Sequence, residues 1–316
     1  MSASPLSLVV PVYRNEASLP ELLAALEELS ARLARRLEVV FVVDGSPDAS
    51  WAILRAELPR CAFPSQLCLL SRNFGSFAAI RAGLEVAHGE HVAVMAADLQ
   101  EPPELVAEFF RVLAEEPVDV VLGVRAGRAD PWFTRLSAET FWGLYRRAVQ
   151  PDMPPGGVDV FACNRAFRAQ LLALSETSSS LVGQVLWLGF RRKLVPYERR
   201  ARRHGRSAWT LRKKLRYLAD SVFAFTDLPI RLLVALGLLG MGAALGLGLV
   251  VLVARLAGST QVPGYTATVL TIVFFAGLNS LGLGILGSYV WRAYENTKQR
   301  PVAITMHKEE FGKAAP

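Results

Sequence analysis

The chain has 316 residues, room for one large domain or for one domain with an appendage. Just over half of them are hydrophobic and mean hydropathy is positive, which is high for a soluble enzyme. The formal net charge is +7, and the three cysteines, Cys61, Cys68 and Cys163, lack metal-ligand spacing and read as reduced residues of a cytosolic domain.

The N-terminal "MSASPLSLVVPVY" has no basic stretch followed by a long apolar one, so it does not read as a secretory signal. Leu6 to Val12 is a β-branched run of buried-strand type. A helical pattern follows from Leu19 to Leu33, with Ser18 as its expected cap and Pro20 in the first turn. Glu38 to Val43, Gln66 to Leu70, His91 to Ala96 and "VDVVLGVR" read as further strands. Between them "DASWAILRAEL", "FGSFAAIRAGLEVA" and "PPELVAEFFRVLAEE" read as helices. Strands alternating with helices of this length predict βαβ units and an α/β fold with a mostly parallel sheet.

In such sheets ligands bind beyond the carboxyl ends of the strands. Five successive strands end in polar residues: Tyr13, Asn15 and Glu16, then Asp44 and Ser46, then Asn73, then Asp98 and Gln100, then Arg125. A single such residue is usually a turn or cap; five in order predict a functional rim. Other chemistries find no support. The chain has no G-x-G-x-x-G after its first strand, no P-loop lysine motif and no serine nucleophile elbow. Its four histidines, His88, His91, His204 and His307, are scattered.

Beyond residue 230 the composition changes. Leu232 to Ala254 contains no charged residue, and Tyr265 to Val290 is broken only by small or weakly polar ones. Each run is long enough to cross a hydrocarbon core of about 30 Å. Arginines and lysines crowd before the first run, from Arg199 to Arg231, and follow the second at Arg292, Lys298 and Arg300. The link between the runs holds only Arg255. The positive-inside rule places both ends in the cytoplasm. The net charge then reads as attraction to anionic headgroups and phosphorylated substrates, and nucleic-acid binding is disfavoured. "SAWTLRKKLRYLADSVFAFTDLPIRLL" reads as an amphipathic helix on the membrane surface. Small residues at close spacing in the two runs favour tight helix packing, which permits a homo-oligomer without setting its size.

Five segments carry a resemblance: "VVPVYRNEASLPELL", "VVDGSPDAS", "LSRNFGSFAAIRAGLEVAHGE", "MAADLQEPPE" and "RRHGRSAWT". In order and spacing the chain resembles family 2 glycosyltransferases of GT-A fold, in the polyprenyl-phosphate subgroup whose members carry two C-terminal transmembrane helices. The resemblance implies a GT-A domain over 1–207, a juxtamembrane helix over 208–230, a transmembrane hairpin over 231–291 and a cytoplasmic tail over 292–316. It implies inverting transfer from a nucleotide sugar, with UDP favoured over GDP, to a polyprenyl phosphate such as undecaprenyl phosphate, at a bacterial inner membrane. Another lipid acceptor, and an inactive scaffold descended from such enzymes, remain open.

The resemblance also implies roles. Pro11, Tyr13, Glu16, Asp44, Ser46 and Asn73 fall on the donor side. Asp98 matches the last Asp of D-x-D-L-Q and would hold Mg²⁺ or Mn²⁺ on the diphosphate, with Gln100 after it. Arg203, Ser207 and Trp209 match a segment that closes over the phosphates. Arg125, Arg128 and Arg135 are candidates for the acceptor phosphate, and Asp159 falls at a position often acidic. Five positions depart from the pattern. Arg14-Asn15 replace Asn-Glu, Val43 and Ala96 each replace an Asp, and Ala208 replaces a Lys. Ala96 leaves Asp98 as the one carboxylate of its motif. Because Mg²⁺ keeps waters and takes one or two protein carboxylates plus substrate phosphates, a site that assembles with the donor is expected.

Overall fold

The computed structural model describes residues 5–34, 36–125, 152–154, 157–176, 179–200, 221–257 and 264–312. Arg128, Arg135, Arg203, Ser207, Trp209 and the juxtamembrane stretch up to residue 220 lie outside the described residues.

Strands β1 (Leu6–Val12), β2 (Leu37–Val43), β3 (Ser65–Leu70), β4 (His91–Val94) and β5 (Val120–Arg125) fall where the β-branched runs predict them. They are joined by α1 (Leu19–Arg32), α2 (Ser50–Glu57), α3 (Ser76–Val86) and α4 (Pro103–Glu115). Three further strands, β6 (Val158–Asn164), β7 (Arg192–Tyr197) and β8 (Thr305–Phe311), complete one sheet in the order β7-β5-β6-β4-β1-β2-β3-β8. Helices α5 (Arg165–Ala173) and α6 (Leu181–Trp187) lie between β6 and β7.

The sheet is mixed. β1 pairs in parallel with β2 and β4, β2 with β3, and β5 with β7. β6 runs antiparallel between β4 and β5, and β8 runs antiparallel along β3. The reversal of β6 leaves β5 pointing the same way as β4. The carboxyl ends of β1 to β5 and β7 therefore share one rim, and β6 enters the sheet there.

Strands buried on both faces need apolar residues at every position. In β1 and β2 nearly every residue is buried. Leu22, Leu26, Phe109 and Phe110 from α1 and α4 pack on one face. Ala79, Leu84, Phe167, Leu171 and Val185 from α3, α5 and α6 pack on the other.

Ser18 is not the side-chain cap expected of it. Its hydroxyl donates instead to the carbonyl oxygens of Asn15 and Ala97, each at 3.0 Å, tying the loop after β1 to the end of β4.

Two long helices follow, α7 (Leu228–Leu256) and α8 (Tyr265–Thr297). Both contain a stretch long and apolar enough to cross a membrane, Leu228–Gly246 and Phe274–Thr297. A helical turn over 221–225 precedes α7 and docks on α6: a Cβ on Gly183 would meet the Phe225 ring at 2.4 Å. The segment 292–316, expected as a tail, carries β8. The strand escapes a hydrophobic pattern because "TMHKEEF" is an edge strand with mostly exposed side chains.

Candidate active site

The loop after β1 is fastened to the loop after β2. Arg14, in the left-handed region at φ 56°, donates its N–H to Ser46 Oγ at 2.8 Å. Ser46 donates to Asp48 Oδ1 at 2.6 Å, and the Glu16 N–H donates to Asp48 Oδ2 at 3.1 Å. The Ala49 N–H returns a bond to Glu16 Oε2 at 2.9 Å. Residues 14–18 with Pro47 and Asp48 line an open cleft of about 420 Å³.

Asp44 ends β2 and is 2% exposed. It accepts the Phe74 N–H at 2.7 Å and the Gly75 N–H at 2.8 Å, which sets the entry to α3. Gly45 follows at φ +54°, where a Cβ would lie 2.3 Å from the Arg72 carbonyl carbon, so only glycine fits this turn. Asn73 reaches back to the Asp44 carbonyl at 3.4 Å.

Asp98 stands beyond β4. Leu99 takes a left-handed φ of 53°, which brings the Gln100 N–H back to Asp98 Oδ1 at 3.3 Å. The chain leaving β7 docks on this loop. The Arg200 N–H donates to the Gln100 carbonyl at 2.9 Å, and Arg199 Nη2 donates to Gln100 Oε1 at 2.6 Å. The next residue, Glu101, is 2% exposed. Arg199 approaches its Oε1 at 3.8 Å, while Oε2 has no hydrogen-bond partner. Burial and the charge of Asp98 push the Glu101 carboxyl up to about 7, with Asp159 acting the same way, against Arg199 and the Ala96 N–H.

A second cluster forms where β5, β6 and β7 meet the rim. Arg125 makes a two-pronged pair with Asp159, with Nη2 to Oδ1 at 2.7 Å. Tyr197 donates its hydroxyl to Asp159 Oδ2 at 2.7 Å. Burial would raise the Asp159 carboxyl, but the bonds and charge of Arg125 hold it below the usual carboxylate range. Burial and the neighbouring Asp159 push the Tyr197 phenol far up, so it stays a neutral donor.

Pro11, Tyr13, Glu16, Asp44, Ser46, Asn73, Asp98, Gln100 and Arg125 thus all belong to one rim. Arg125 is engaged by Asp159 rather than standing free. Glu101, Tyr197 and Arg199 join this rim without having been singled out as site residues in the sequence. Among the described residues no three His, Cys, Asp or Glu side chains stand close enough to hold a metal by themselves. Asp98 beside a buried carboxyl with an unpartnered oxygen is an oxygen-only donor set. It fits a hard divalent ion whose shell is completed by phosphate and water.

The mixed α/β sheet thus gathers acidic strand ends on one rim and is accompanied by two long apolar helices. Residues 7–174 match Glycosyl transferase family 2, and the chain belongs to that family, with the GT-A arrangement of its sheet. It is a glycosyltransferase. It is 35% identical over 302 residues to the undecaprenyl-phosphate 4-deoxy-4-formamido-L-arabinose transferase of Pseudomonas fluorescens, covering 93% of this chain and 87% of that one. It is 32% identical over 302 residues to the uncharacterized glycosyltransferase YkcC of Bacillus subtilis, covering 94% and 92%. A solved structure of glucosyl-3-phosphoglycerate synthase from Mycobacterium tuberculosis with phosphoglyceric acid overlays at TM-score 0.48 and 18% identity, covering 70% of this chain and 81% of that chain.

Proposed function

We propose that the chain transfers a sugar from a nucleotide diphosphate, UDP in preference to GDP, to the phosphate of a membrane polyprenol. The observation that carries this reading is where the membrane helices rejoin the sheet. α8 ends at Thr297, and β8 starts at Thr305 opposite Leu70, the residue that ends β3 on the rim. Acidic strand ends and the membrane-proximal chain then lie on the same side of the domain, where a lipid-borne acceptor meets a soluble donor. Both chain ends and the catalytic domain are assigned to the cytoplasm of a bacterium, with the link after α7 outside.

The cleft lined by Arg14, Glu16 and Asp48 takes the nucleoside, with Pro11, Tyr13, Ser46 and Asn73 framing it. Asp98 would hold Mg²⁺ or Mn²⁺, which when bound would supply charge neutralisation for the diphosphate. Gln100 holds Arg199 and the backbone of Arg200 against the Asp98 loop. Arg203, Ser207 and Trp209 follow directly in the chain and close over the phosphates. Arg128 and Arg135, with Arg125 at the head of that segment, receive the acceptor phosphate. An acceptor oxygen attacks the anomeric carbon as the bond to the diphosphate oxygen breaks, inverting the configuration and releasing the nucleoside diphosphate. The acceptor is already an anion near neutral pH, so the site supplies position and charge rather than a strong base.

The test is transfer from radiolabelled UDP- and GDP-sugars to undecaprenyl phosphate in detergent, with Mn²⁺, Mg²⁺ or EDTA. A lipid-soluble product is expected that requires metal and falls by about 10²-fold or more in Asp98→Ala. No product and no nucleotide binding with any donor would overturn the reading.

A further inference from the structure

We infer that Glu101 is the second protein carboxylate of the divalent-cation site, standing with Asp98 where Ala96 contributes none. This rests on the donor reading above. Three features of the loop lead to it.

The first is an orphaned oxygen. Glu101 is 2% exposed, and its Oε2 is buried with no hydrogen-bond partner. A buried carboxyl left this way is destabilising, more so if ionised, unless something absent from the free protein satisfies it. A cation does so.

The second is the charge around it. Among the described residues, the charges acting on Glu101 are two carboxylates, Asp98 and Asp159, and one guanidinium, Arg199. Arg199 stands off at 3.8 Å while donating to Gln100 at 2.6 Å. Asp159 has its own partners in Arg125 and Tyr197. Asp98 and Glu101 thus bring two carboxyls to one corner of the rim, an arrangement that an ion of charge two can bridge.

The third is the rigidity of the loop. Leu99 is fixed at φ 53° and Pro102 sits extended at φ −68°, ψ 136°, just before α4. The residue before a proline is itself held out of the helical region. Glu101 is thus positioned by the backbone on both sides. Two carboxylates with two diphosphate oxygens and water satisfy the oxygen preference of Mg²⁺ or Mn²⁺.

The decisive measurement is Mn²⁺ affinity of the full chain in nanodiscs with UDP present, read from the free-Mn²⁺ EPR signal. Glu101→Gln is expected to weaken Mn²⁺ binding by about tenfold or more while UDP binding in EDTA stays at the wild-type level. Ala96→Asp in the Glu101→Gln background is expected to restore Mn²⁺ affinity. Equal Mn²⁺ affinity in wild type and Glu101→Gln overturns the inference, as does an equal loss of metal-free UDP binding. If Glu101→Gln gives no cooperative melt, Ala96→Asp alone decides. Little gain means that the second carboxylate is already supplied, whereas a gain of about tenfold means that it was missing. Wild type that takes up no Mn²⁺ with UDP or GDP sinks the donor reading itself, and this inference with it.

Discussion

Both oxygens of Asp44 are committed to the chain's own amides, at 2.7 and 2.8 Å. Its first duty is to hold the entry to α3 and so place Asn73 on the rim. Asp44→Asn turns one acceptor into a donor facing an N–H. It should cost about 1–3 kcal/mol in thermal unfolding and weaken UDP binding together with it. Unchanged stability with lost UDP binding would instead mean a direct contact. The Arg125–Asp159 pair is only about a quarter exposed, with side-chain values of 22% and 23%. Asp159→Asn should destabilise by about 1–3 kcal/mol, between a surface and a buried pair, and the Asp159→Asn/Arg125→Met double variant should recover part of that. Asp44, Asp98 and Arg125 were legible because strand ends are legible. Glu101 was not, since a sequence pattern says which residues are charged but not which are buried with an oxygen left unpartnered. The one available signal was the Pro102-Pro103 pair that fixes its backbone.

Among the elements, β1 to β5 were readable from β-branched runs, and the structure moves their ends by only a residue or two. β6 was not, because nothing local says that "VDVFACN" inserts backwards between β4 and β5. That insertion brings Asp159 to Arg125 and Tyr197. β7 was hidden by its charged, half-exposed pattern and Pro196. At the end of the sheet away from the rim, Glu38 ties three strands and the turn after α3 together. It accepts from Ser7 Oγ and Gln66 Nε2 at 2.6 Å each and from the His88 N–H at 3.0 Å. Burial would raise its carboxyl, but these hydrogen bonds outweigh burial and hold it below the usual carboxylate range. A carboxyl lowered on folding adds stability above its unfolded value, and that stability is lost as pH falls through the folded value. The melting temperature of wild type should therefore drop as pH is taken from 6 to about 3, and Glu38→Gln should melt lower at pH 6 with a shallower acid slope. Parallel slopes for the two proteins would remove Glu38 from the acid response.

At the scale of the whole molecule, the two apolar runs were legible from length and lack of charge; α7 extends past the first at both ends, to Leu228 and Leu256, and α8 starts with the second at Tyr265 and runs on to Thr297. The return of the chain into the sheet was not legible. β8 bonds along β3 from Leu70 to Ser65, and Arg55 Nε reaches Glu309 Oε1 at 3.0 Å. Removing 305–312 should leave a bare edge on β3, lower the melting temperature and raise aggregation after solubilisation, measured by size exclusion. Arg55→Ala alone should change stability by less than about 1 kcal/mol, as an exposed pair does. A truncated chain that stays monodisperse at the wild-type melting temperature would make β8 dispensable. The same strand imposes an order of manufacture. During synthesis β3 emerges more than two hundred residues before its partner, and in the interval both α7 and α8, each with a stretch long and apolar enough to cross a membrane, are made. Until both helices have been made the β3 edge stays open, and β8 alone can close it.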